Sequence, residues 1–281
     1  MAWIKESKTV PIIDNALGYI STWDSTEHNW NALTTSYYGG APWVKDTKPV
    51  SSWVIEDFDY SIPNTYSVDF DGTDDYVDTG FQPDFIHTNA TMSYWCKLAN
   101  FSGTQILGCH NSKRFYLGFT GTNIYLGTAN TNKSSTDLSA YISADTWMHL
   151  CLVMEDGAAT FYLDGVSRDT NSYTQASATN PDTNFFIGAT SSASTSFYME
   201  GNIDEVAVWN TALDADAVKV VYNGGKPTDL TVNLGTYDEY TDNLKAYWRM
   251  GDGTLDDFPL IADQVNPTLG QLLVGVKMGI P

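Results

Sequence analysis

Carboxylates are the side chains of this sequence most suited to chemistry, and they crowd into the stretch YSVDFDGTDDYVDTG, residues 66–80. Carboxylate oxygens are preferred ligands of Ca²⁺. An EF-hand is excluded, because D-F-D-G-T-D-D places glycine fourth instead of sixth and no glutamate stands at position twelve. The alternative is that Asp71 and Asp74 cap their own turn. The stretch therefore indicates either a metal site or a self-capped turn.

Residues for acid–base or nucleophilic catalysis are not grouped in the sequence. The glutamates stand isolated at Glu6, Glu27, Glu56, Glu155, Glu200, Glu205 and Glu239. The histidines do not pair at metal-binding spacing and stand at His28, His87, His110 and His149. No G-x-S-x-G motif, P-loop or dinucleotide fingerprint is present. The sequence predicts no catalytic site, and His149 is interpreted as a structural side chain.

Charge and cysteine content limit the classes of partner. Fourteen Lys and Arg against 34 Asp and Glu leave a formal charge of −20 on 281 residues. Such a field repels nucleic acid and anionic membranes, so neither is an expected partner. No apolar signal segment or membrane-length run is present. Three cysteines are too few for a disulfide framework, which predicts synthesis in a reducing cytosol, with Cys96 and Cys151 buried.

The segment Thr146–Val166, TWMHLCLVMEDGAATFYLDGV, predicts the structure that organises the chain. Apolar and polar residues alternate on both sides of Asp156-Gly157, which is a strong hairpin signal. Phe161 and Leu163 fall on one face before Asp164-Gly165 turns the chain again. The pattern predicts two long antiparallel strands that commit one face to a core.

Further strands flank this hairpin. In TMSYWCKL, residues 91–98, every second side chain is apolar and Trp95 lies on the opposite face, which predicts a central strand. Shorter strands are expected at Gln105–Cys109, Arg114–Thr120 and Asn123–Thr128. Polar loops are expected over Thr131–Ser143 and Thr170–Asn184. Strands at this density predict an antiparallel sandwich.

One helix is predicted, over Asp214–Asn223. Asp214 suits the N-cap position, and Gly224 suits the C-terminal stop. Ala217, Val218 and Val221 cluster on one face of this segment.

The first 60 residues differ from the rest of the chain. Five tryptophans are scattered among Gly, Pro, Ser, Thr and Asn without helical or strand periodicity: Trp3, Trp23, Trp30, Trp43 and Trp53. A disordered tail is poor in aromatic residues, so this segment is expected to pack on something. Two hypotheses remain open: it wraps its own sandwich, or it is an assembly arm that docks on a neighbouring subunit.

Three motifs carry a resemblance to a known family. The W-x-H-L run with F-Y-L-D-G-V, the hairpin of residues 66–80 and GNIDEVAVWNTAL, Gly201–Leu213, resemble the laminin G-like, or concanavalin A-like, jelly-roll family in order and separation. The resemblance covers about residues 60–225. It implies an all-β fold, an antiparallel β-sandwich of the concanavalin A-like jelly-roll type, with one short helix and an irregular N-terminal arm.

The C-terminal segment departs from the family order. NLKAYWRMG, Asn243–Gly251, is similar to a segment that normally precedes the first family hairpin, but here it comes last. It either closes the sandwich in permuted order or begins a further repeat, and closure is favoured. The predicted organisation is an arm at 1–60, a sandwich at 61–225 and a closing strand from 226–281. The phrasing K-P-T-D-L and Y-W-R-M-G-D-G resembles laminin G-like proteins of tailed phages.

The resemblance implies one structural Ca²⁺. Asp71 and Asp204 match positions where family members gather this ion, and Asp263 is expected to join them. The alternative is that these carboxylates bond nearby backbone amides. The related glycosidases use a Glu-x-Asp-x-x-Glu strand, which is absent here, so the family's enzymatic activity is not expected.

The family commonly binds carbohydrate, which needs aromatic platforms beside polar groups. Tyr116 and Tyr125 are predicted to face away from Phe115, Leu117 and Ile124, beside Arg114 and His110. These four residues are the candidate glycan-binding site. The alternative is that the tyrosines form stabilising cross-strand pairs.

The favoured function is that of a non-enzymatic structural virion protein of a tailed phage, as capsid decoration or tail-fibre component, that displays a glycan-binding surface. Its expected partners are other virion proteins or a second copy of the chain, bound through the arm, and cell-surface glycans. Its expected location is the virion, after synthesis in the host cytoplasm. Two alternatives remain: a lectin module of a bacterial polysaccharide-processing system, and a diverged polysaccharide hydrolase or lyase.

Overall fold

The computed structural model describes two strands within the first 21 residues and most of the chain from Tyr60 onward. The described ranges are 12–14, 19–21, 60–83, 85, 89–110, 115–128, 132–173, 184–190, 196–237, 241–257, 260–266, 270–274 and 277–279. The chain divides into two compact units, Met1–Phe58 and Asp59–Pro281. The five tryptophans of the predicted arm lie outside the described residues.

The described elements are eighteen strands, one α-helix and three short 3₁₀ turns. The strands are β1 (Ile12–Asp14), β2 (Tyr19–Ser21), β3 (Ser67–Asp71), β4 (Tyr76–Asp78), β5 (Ala90–Leu98), β6 (Thr104–His110), β7 (Phe115–Thr120), β8 (Asn123–Thr128), β9 (Asn132–Asp137), β10 (Met148–Glu155), β11 (Ala158–Leu163), β12 (Val166–Ser172), β13 (Phe186–Ile187), β14 (Glu200–Trp209), β15 (Leu244–Trp248), β16 (Leu260–Ala262), β17 (Gly270–Val274) and β18 (Lys277–Gly279). The helix is α1 (Ala215–Tyr222), and the 3₁₀ turns are Asn223–Gly225, Gly235–Tyr237 and Thr241–Asn243.

Two antiparallel eight-stranded sheets build the second unit. The first sheet has the order β12-β11-β10-β5-β14-β3-β18, and β15 pairs with the half of β14 that β3 leaves open. The second sheet has the order β16-β17-β4-β13-β6-β7-β8-β9. β1 and β2 pair with each other in the first unit. The predicted antiparallel sandwich is confirmed.

Two Asp-Gly turns connect β10, β11 and β12 as the sequence predicts. Asp156 and Gly157 have φ values of 48° and 81°, and Asp164 and Gly165 have values of 52° and 71°. Positive φ at both central residues defines the type I′ turn, whose twist matches that of the flanking strands. The turns fix the register, so that Leu152 lies opposite Phe161. β5 lies between β10 and β14, which confirms the predicted central strand.

The inner faces of the two sheets form the central core. β5 and β10 supply the alternate side chains that the sequence assigns to one face, among them Met92, Tyr94 and Leu150. The second sheet supplies the other wall, including Leu117 and Phe119. Apolar area removed from water here is the main stabilisation of the fold, at about 25 cal/mol per Å².

Helix α1 covers part of the outer face of the first sheet. The Asp214 side chain accepts hydrogen bonds from the backbone amides of Asp216 and Ala217, at 3.0 and 2.7 Å, which confirms the predicted N-cap. Asn223 ends the helix in the left-handed conformation, with φ of 45°, and Gly224 follows at 61°. Ala217, Val218 and Val221 are buried. In the described part of the chain, no helix has the length and hydrophobicity needed to cross a membrane.

A second hydrophobic cluster lies between this helix, the segment that follows it and the first sheet. Its buried members come from β10, β11, β14, β15, α1 and the turns around them, and they are Cys151, Val153, Tyr162, Ala207, Trp209, Leu213, Ala217, Val218, Val221, Leu230, Tyr237, Leu244 and Tyr247. The Trp209 indole Nε1 donates to the Tyr237 hydroxyl at 3.0 Å, and that hydroxyl donates to the Leu230 carbonyl at 2.9 Å. The outer face of the first sheet is therefore an internal surface along much of its length.

The C-terminal segment contributes strands to both sheets. β15 and β18 join the first sheet beside β14 and β3, whereas β16 and β17 join the second sheet beside β4. The last 40 residues thus add four strands to the sandwich rather than a single one.

Two predicted loops contain strands. β9 lies within the expected polar loop Thr131–Ser143, and the last residues of β12 lie within the expected loop Thr170–Asn184. Both predictions were wrong at these positions. β9 and β12 are edge strands, where polar and charged side chains discourage pairing with another chain. The two edges bond each other through the Thr136 hydroxyl and the Asp169 carboxylate, at 3.1 Å.

Candidate functional site

Tyr116 and Tyr125 lie on adjacent strands of the second sheet and face away from the central core. Tyr116 is opposite Gly127, and Tyr125 is opposite Gly118. The Tyr116 ring lies against its partner glycine, since a Cβ on Gly127 would stand 3.3 Å from Tyr116 Cδ2. Glycine has no side chain, so the aromatic ring can lie across the neighbouring strand at this point.

The two tyrosines differ in exposure. Tyr116 is partly exposed, whereas Tyr125 is only 7% exposed and packs with Ile106 and Cys109. Burial, with smaller contributions from Cys109 and Tyr116, raises the pKa of Tyr125 to about 12, so its hydroxyl keeps its proton at neutral pH. Tyr116 is therefore the ring of this pair that can contact a ligand.

The other two predicted glycan-binding residues belong to the end of the β6–β7 hairpin. The backbone of His110 pairs with Phe115 there, one residue before Tyr116. The His110 side chain and the whole of Arg114 lie outside the described residues. Their assignment to the site stays a prediction.

The Asp-rich hairpin between β3 and β4 brings three carboxylates together. One oxygen from each of Asp71, Asp74 and Asp75 lies within 4.8 Å of the others. The hairpin also caps itself: Asp71 accepts a hydrogen bond from the Thr73 amide at 2.7 Å, and Asp75 accepts one from the Asp71 amide at 2.8 Å. Burial raises the pKa of Asp75, and the charges of Asp71 and Asp74 add to this effect.

Asp204 and Asp263, the other expected calcium ligands, lie in separate hydrogen-bond networks. The Asp204 carboxylate accepts hydrogen bonds from the Asn64 amide side chain and the Glu205 backbone, both at 2.8 Å. Asp263 accepts hydrogen bonds from the backbone amides of Tyr247 at 3.0 Å and Val265 at 2.9 Å. The structure does not group either residue with Asp71 in the acidic cluster found among the described side chains. Calcium binding stays a prediction.

A bulge in β14 buries two neighbouring carboxylates. The register of β14 against β5 shifts between Asp204 and Ala207, and Glu205 has a φ of +46°. The bulge turns both acids to the outer side of the sheet, where they are 1% and 3% exposed. Burial, followed by the charge of Glu205, raises the pKa of Asp204 well above its usual range.

Glu205 is held by two residues of the C-terminal segment. It accepts a hydrogen bond from the Tyr247 hydroxyl and pairs with Arg249 Nε at 3.1 Å. Burial raises the pKa of Glu205 to about 7, although Arg249 and Tyr247 act in the opposite direction. Arg249 also donates to the Pro63 carbonyl at 2.7 Å. Sequence spacing gave no signal for this network, because Glu205 and Arg249 are 44 positions apart.

His149 and Ser93 form a buried polar pair on β10 and β5. The His149 Nε2 and Ser93 Oγ atoms are 2.7 Å apart, and both side chains are buried. The imidazole packs against Trp95 and Tyr222, and its Nδ1 has no hydrogen-bond partner among the described residues. Burial lowers the pKa of His149 to about 3, so the ring is neutral. The pair is enclosed, which fits the structural role expected for His149.

Two other residues on the outer face of the second sheet were not predicted from the sequence as site residues. Tyr76 and Asp78 alternate with the buried Val77 on β4, so both face the same side as Tyr116. That alternation was visible in the sequence, but it does not reveal that β4 joins the sheet of β7.

A sequence model of the concanavalin A-like lectin/glucanases superfamily matches residues 71–219, more than half of the 281-residue chain. The chain belongs to this superfamily. Membership agrees with the two antiparallel sheets, and the match includes β4, β7 and β8, the strands that carry Tyr76, Asp78 and both tyrosines of the candidate site.

Solved structures share the superfamily fold at low sequence identity. A candidate carbohydrate-binding protein from Bacteroides ovatus is similar with a TM-score of 0.58 and 14% identity over 78% of this chain and 60% of that chain. The chain thus spans less than two thirds of the Bacteroides protein. A heptameric SAP-like pentraxin from Limulus polyphemus is similar with a TM-score of 0.52 and 16% identity over 77% of this chain and 95% of that chain. No curated protein matches the sequence.

Proposed function

We propose that the sandwich is a non-catalytic carbohydrate-binding domain whose ligand lies on the outer face of the second sheet. The observation that carries this proposal is the partly exposed residue Tyr116, whose ring lies against Gly127 on the neighbouring strand β8. The C–H face of a sugar ring packs on an aromatic face, while its hydroxyl groups need polar partners at the side.

The placement of the ligand follows from the burial of the alternative face. Helix α1 and the second hydrophobic cluster occupy the outer face of the first sheet. The second sheet carries only a small cluster on its outer face among the described residues: Ile106, Cys109 and Tyr125, with Tyr116 beside them. The fold likeness to the candidate carbohydrate-binding protein from Bacteroides ovatus supports the same class of function.

The domain is proposed to be non-catalytic because its neighbouring buried carboxylates are bonded to other protein groups. A glycosidase needs two carboxyl groups that face the sugar bond. The adjacent buried pair here, Asp204 and Glu205, is enclosed and bonded to Asn64, Tyr247 and Arg249. Neither acid is available to a bound sugar.

A glycan array followed by titration calorimetry tests the proposal. The wild-type protein is expected to bind at least one glycan, and Tyr116→Ala is expected to weaken that binding about tenfold, as the loss of one aromatic contact does. Tyr141→Ala is the matched control, because Tyr141 is 57% exposed and its ring centre lies 4.1 Å from Cζ of Arg168 on β12, a strand of the first sheet. Binding to no glycan, or an unchanged affinity in Tyr116→Ala, would contradict the proposal.

We further propose that this domain is displayed on the virion of a tailed phage, with residues 1–60 docked on other virion proteins or on a second copy of the chain. The five tryptophans in this segment support it, since tryptophan dominates interface hot spots. Light scattering of the full chain and of a variant that begins at Asp59 tests it. An oligomeric full chain and a folded monomeric variant are expected, whereas two monomers would count against an assembly arm.

A further inference from the structure

Four residues form a continuous row across the outer face of the second sheet. Asp78 on β4 is opposite Phe186 on β13, Phe186 is opposite Cys109 on β6, and Cys109 is opposite Tyr116 on β7. Three strand spacings separate Asp78 from Tyr116, which is about 14 Å at 4.8 Å per spacing. The two ends of this row are therefore too far apart to contact one monosaccharide and suit an oligosaccharide.

The Asp78 carboxylate is held in one orientation. Its Oδ1 atom accepts hydrogen bonds from the Asn184 side-chain amide at 2.7 Å and from the Gly80 backbone amide at 3.1 Å. Asn184 is oriented in turn by Gln82, whose Nε2 donates to Asn184 Oδ1 at 3.1 Å. Within the described part of the chain, no group bonds the second oxygen, Oδ2. Asp78 therefore presents a fixed acceptor on the outer face of the sheet.

An aromatic ring stands beside this acceptor. Tyr76 lies two residues before Asp78 on the same face of β4, and this spacing places the two residues about 6.6 Å apart. The Tyr76 ring packs edge-on against Phe186, with 6.0 Å between the ring centres and 62° between the planes. Phe186 is 7% exposed and fixes the ring, whereas Tyr76 is partly exposed. An aromatic ring next to an oriented carboxylate is the combination that a sugar residue needs.

We propose that Tyr76 and Asp78 form a second sugar subsite, and that a neutral oligosaccharide lies across β4, β13, β6 and β7 from this subsite to Tyr116. This inference rests on the proposed carbohydrate-binding function. Tyr76 packs on the apolar face of one sugar residue, Asp78 Oδ2 accepts hydrogen bonds from its hydroxyl groups, and Tyr116 packs on a sugar residue further along the chain.

Charge selects neutral glycans over acidic ones. The Asp78 carboxylate would face the ligand directly, and a uronate or sialate group beside it would add a like charge at short distance. The protein as a whole carries a formal charge of −20, which lowers the local concentration of polyanions. Hydroxyl groups of a neutral sugar donate to a carboxylate in charge-assisted hydrogen bonds, which are stronger than neutral ones.

Titration calorimetry of the full chain tests the subsite. The probes are the neutral hexasaccharides of maltose, cellulose, mannan and laminarin types, the matching disaccharides, and polygalacturonate. At least one hexasaccharide is expected to bind, at least tenfold more tightly than its disaccharide and more tightly than polygalacturonate. Asp78→Asn and Tyr76→Leu are each expected to weaken hexasaccharide binding at least tenfold. Tyr76→Leu keeps an apolar contact with Phe186, so it serves if Asp78→Asn disturbs the fold.

Asp242→Asn is the matched control, because it removes the same charge from an exposed residue of the segment that leads into β15. Its affinity is expected to equal that of the wild type. If Tyr116→Ala loses binding while Asp78→Asn and Tyr76→Leu retain it, the second subsite is wrong and the proposed function stands. Preference for polygalacturonate, or equal affinity for disaccharide and hexasaccharide, would also overturn the subsite. Failure of every probe to bind would remove the proposed function and the subsite together.

Discussion

The outer faces of the two sheets differ in what covers them. On the first sheet, α1 and the segment after it bury a thirteen-residue cluster that includes Trp209 and Tyr247. On the second sheet, the described residues form a small cluster of Ile106, Cys109 and Tyr125, and the neighbouring Tyr116 stays partly exposed. The first sheet uses its outer face for stability, and the outer face of the second sheet is the one to which the proposed function assigns the ligand. One outer face works as a second core, and the other keeps rings and oriented polar groups at the surface.

The polar groups on the two faces are used differently as well. On the first sheet, Asp204, Glu205 and His149 are enclosed, and protein groups bond both carboxylates and the His149 Nε2 atom. On the second sheet, Asp78 keeps one carboxylate oxygen that no described group bonds. Buried polar groups need partners inside the protein, whereas exposed ones can take them from a ligand.

The largest effect is expected from breaking the buried ion pair on the covered face. Arg249→Met leaves the Glu205 carboxylate without its cation, at a site where Glu205 is 3% exposed. Removal of one partner from a buried pair costs about 3–5 kcal/mol. Denaturant titration measures the loss in the free energy of unfolding. Glu205→Gln combined with Arg249→Met should recover part of the lost stability. A loss in Arg249→Met that is smaller than the loss in Tyr116→Ala, on the outer face of the second sheet, would contradict the difference between the two faces.

The covered face is also expected to make stability sensitive to acid through His149. In the unfolded chain this histidine takes up a proton below pH 6.5, whereas the folded protein keeps it neutral down to about pH 3. Folding therefore becomes less favourable as the pH falls through this window, by about 1.4 kcal/mol per pH unit. Glu205 acts in the opposite direction between pH 7 and 4.5, because its folded pKa of about 7 lies above the unfolded value of 4.5.

The variant His149→Gln isolates the histidine from the other titrating groups, and its amide retains a partner for Ser93. As the pH falls from 6.5 to 4.5, the free energy of unfolding of this variant is expected to rise relative to that of the wild type. Denaturant titrations at both pH values measure it. A constant difference would mean that His149 is protonated, or reaches water, in the folded protein.

A smaller effect is expected at Phe197, whose backbone is strained. Its φ is +69°, its side chain is 51% exposed, and its carbonyl accepts a hydrogen bond from the Ile106 amide at 3.1 Å. The left-handed region costs a non-glycine residue about 1–2 kcal/mol, and asparagine tolerates it better. Phe197→Asn is expected to raise the free energy of unfolding by about 0.5–1 kcal/mol. Tyr141→Asn, at an exposed residue without positive φ, should give no gain.

An effect of similar size is expected from Ca²⁺ at the acidic hairpin, where the cluster shares Asp71 with the ligands predicted from the sequence. Because oxygens of Asp71, Asp74 and Asp75 lie within 4.8 Å of one another, their repulsion should fall when Ca²⁺ binds. Ca²⁺ is expected to raise the melting temperature by about 2–4 °C, the shift that ~1 kcal/mol gives in a domain of this size. Asp74→Asn should raise it without the ion and remove the calcium response. An equal response to Mg²⁺ in wild type and variant would show general screening and no specific site.

Local signals in the sequence predicted much of the fold. The Asp156-Gly157 and Asp164-Gly165 pairs adopt the positive φ that their turns require. The alternation of apolar and polar residues around them sets the register of three strands. Asp214 caps α1 through contacts only two and three residues away. Such features depend on neighbours in the chain, so they are readable without a structure.

Features that depend on distant residues were not predictable. The bulge at Glu205 has no sequence signature, and its partner Arg249 belongs to a segment whose place in the sheet was left open. The Asp78 row joins four strands that the sequence separates by 7 to 108 positions, a set that only the sheet order brings together. The polar edge strand β9 lacks the apolar alternation on which strand prediction depends.

The division of the last four strands between both sheets affects how the protein is made. β3 and β4 acquire their neighbours β18 and β17 only after about 200 intervening residues have been synthesised. Contacts between such distant parts of a chain slow folding. Until residues 260–279 leave the ribosome, β3 and β4 are exposed edge strands that can bind a strand of another nascent chain. Yield in the cell should therefore depend on expression rate and chaperone capacity more than on the stability of the finished sandwich.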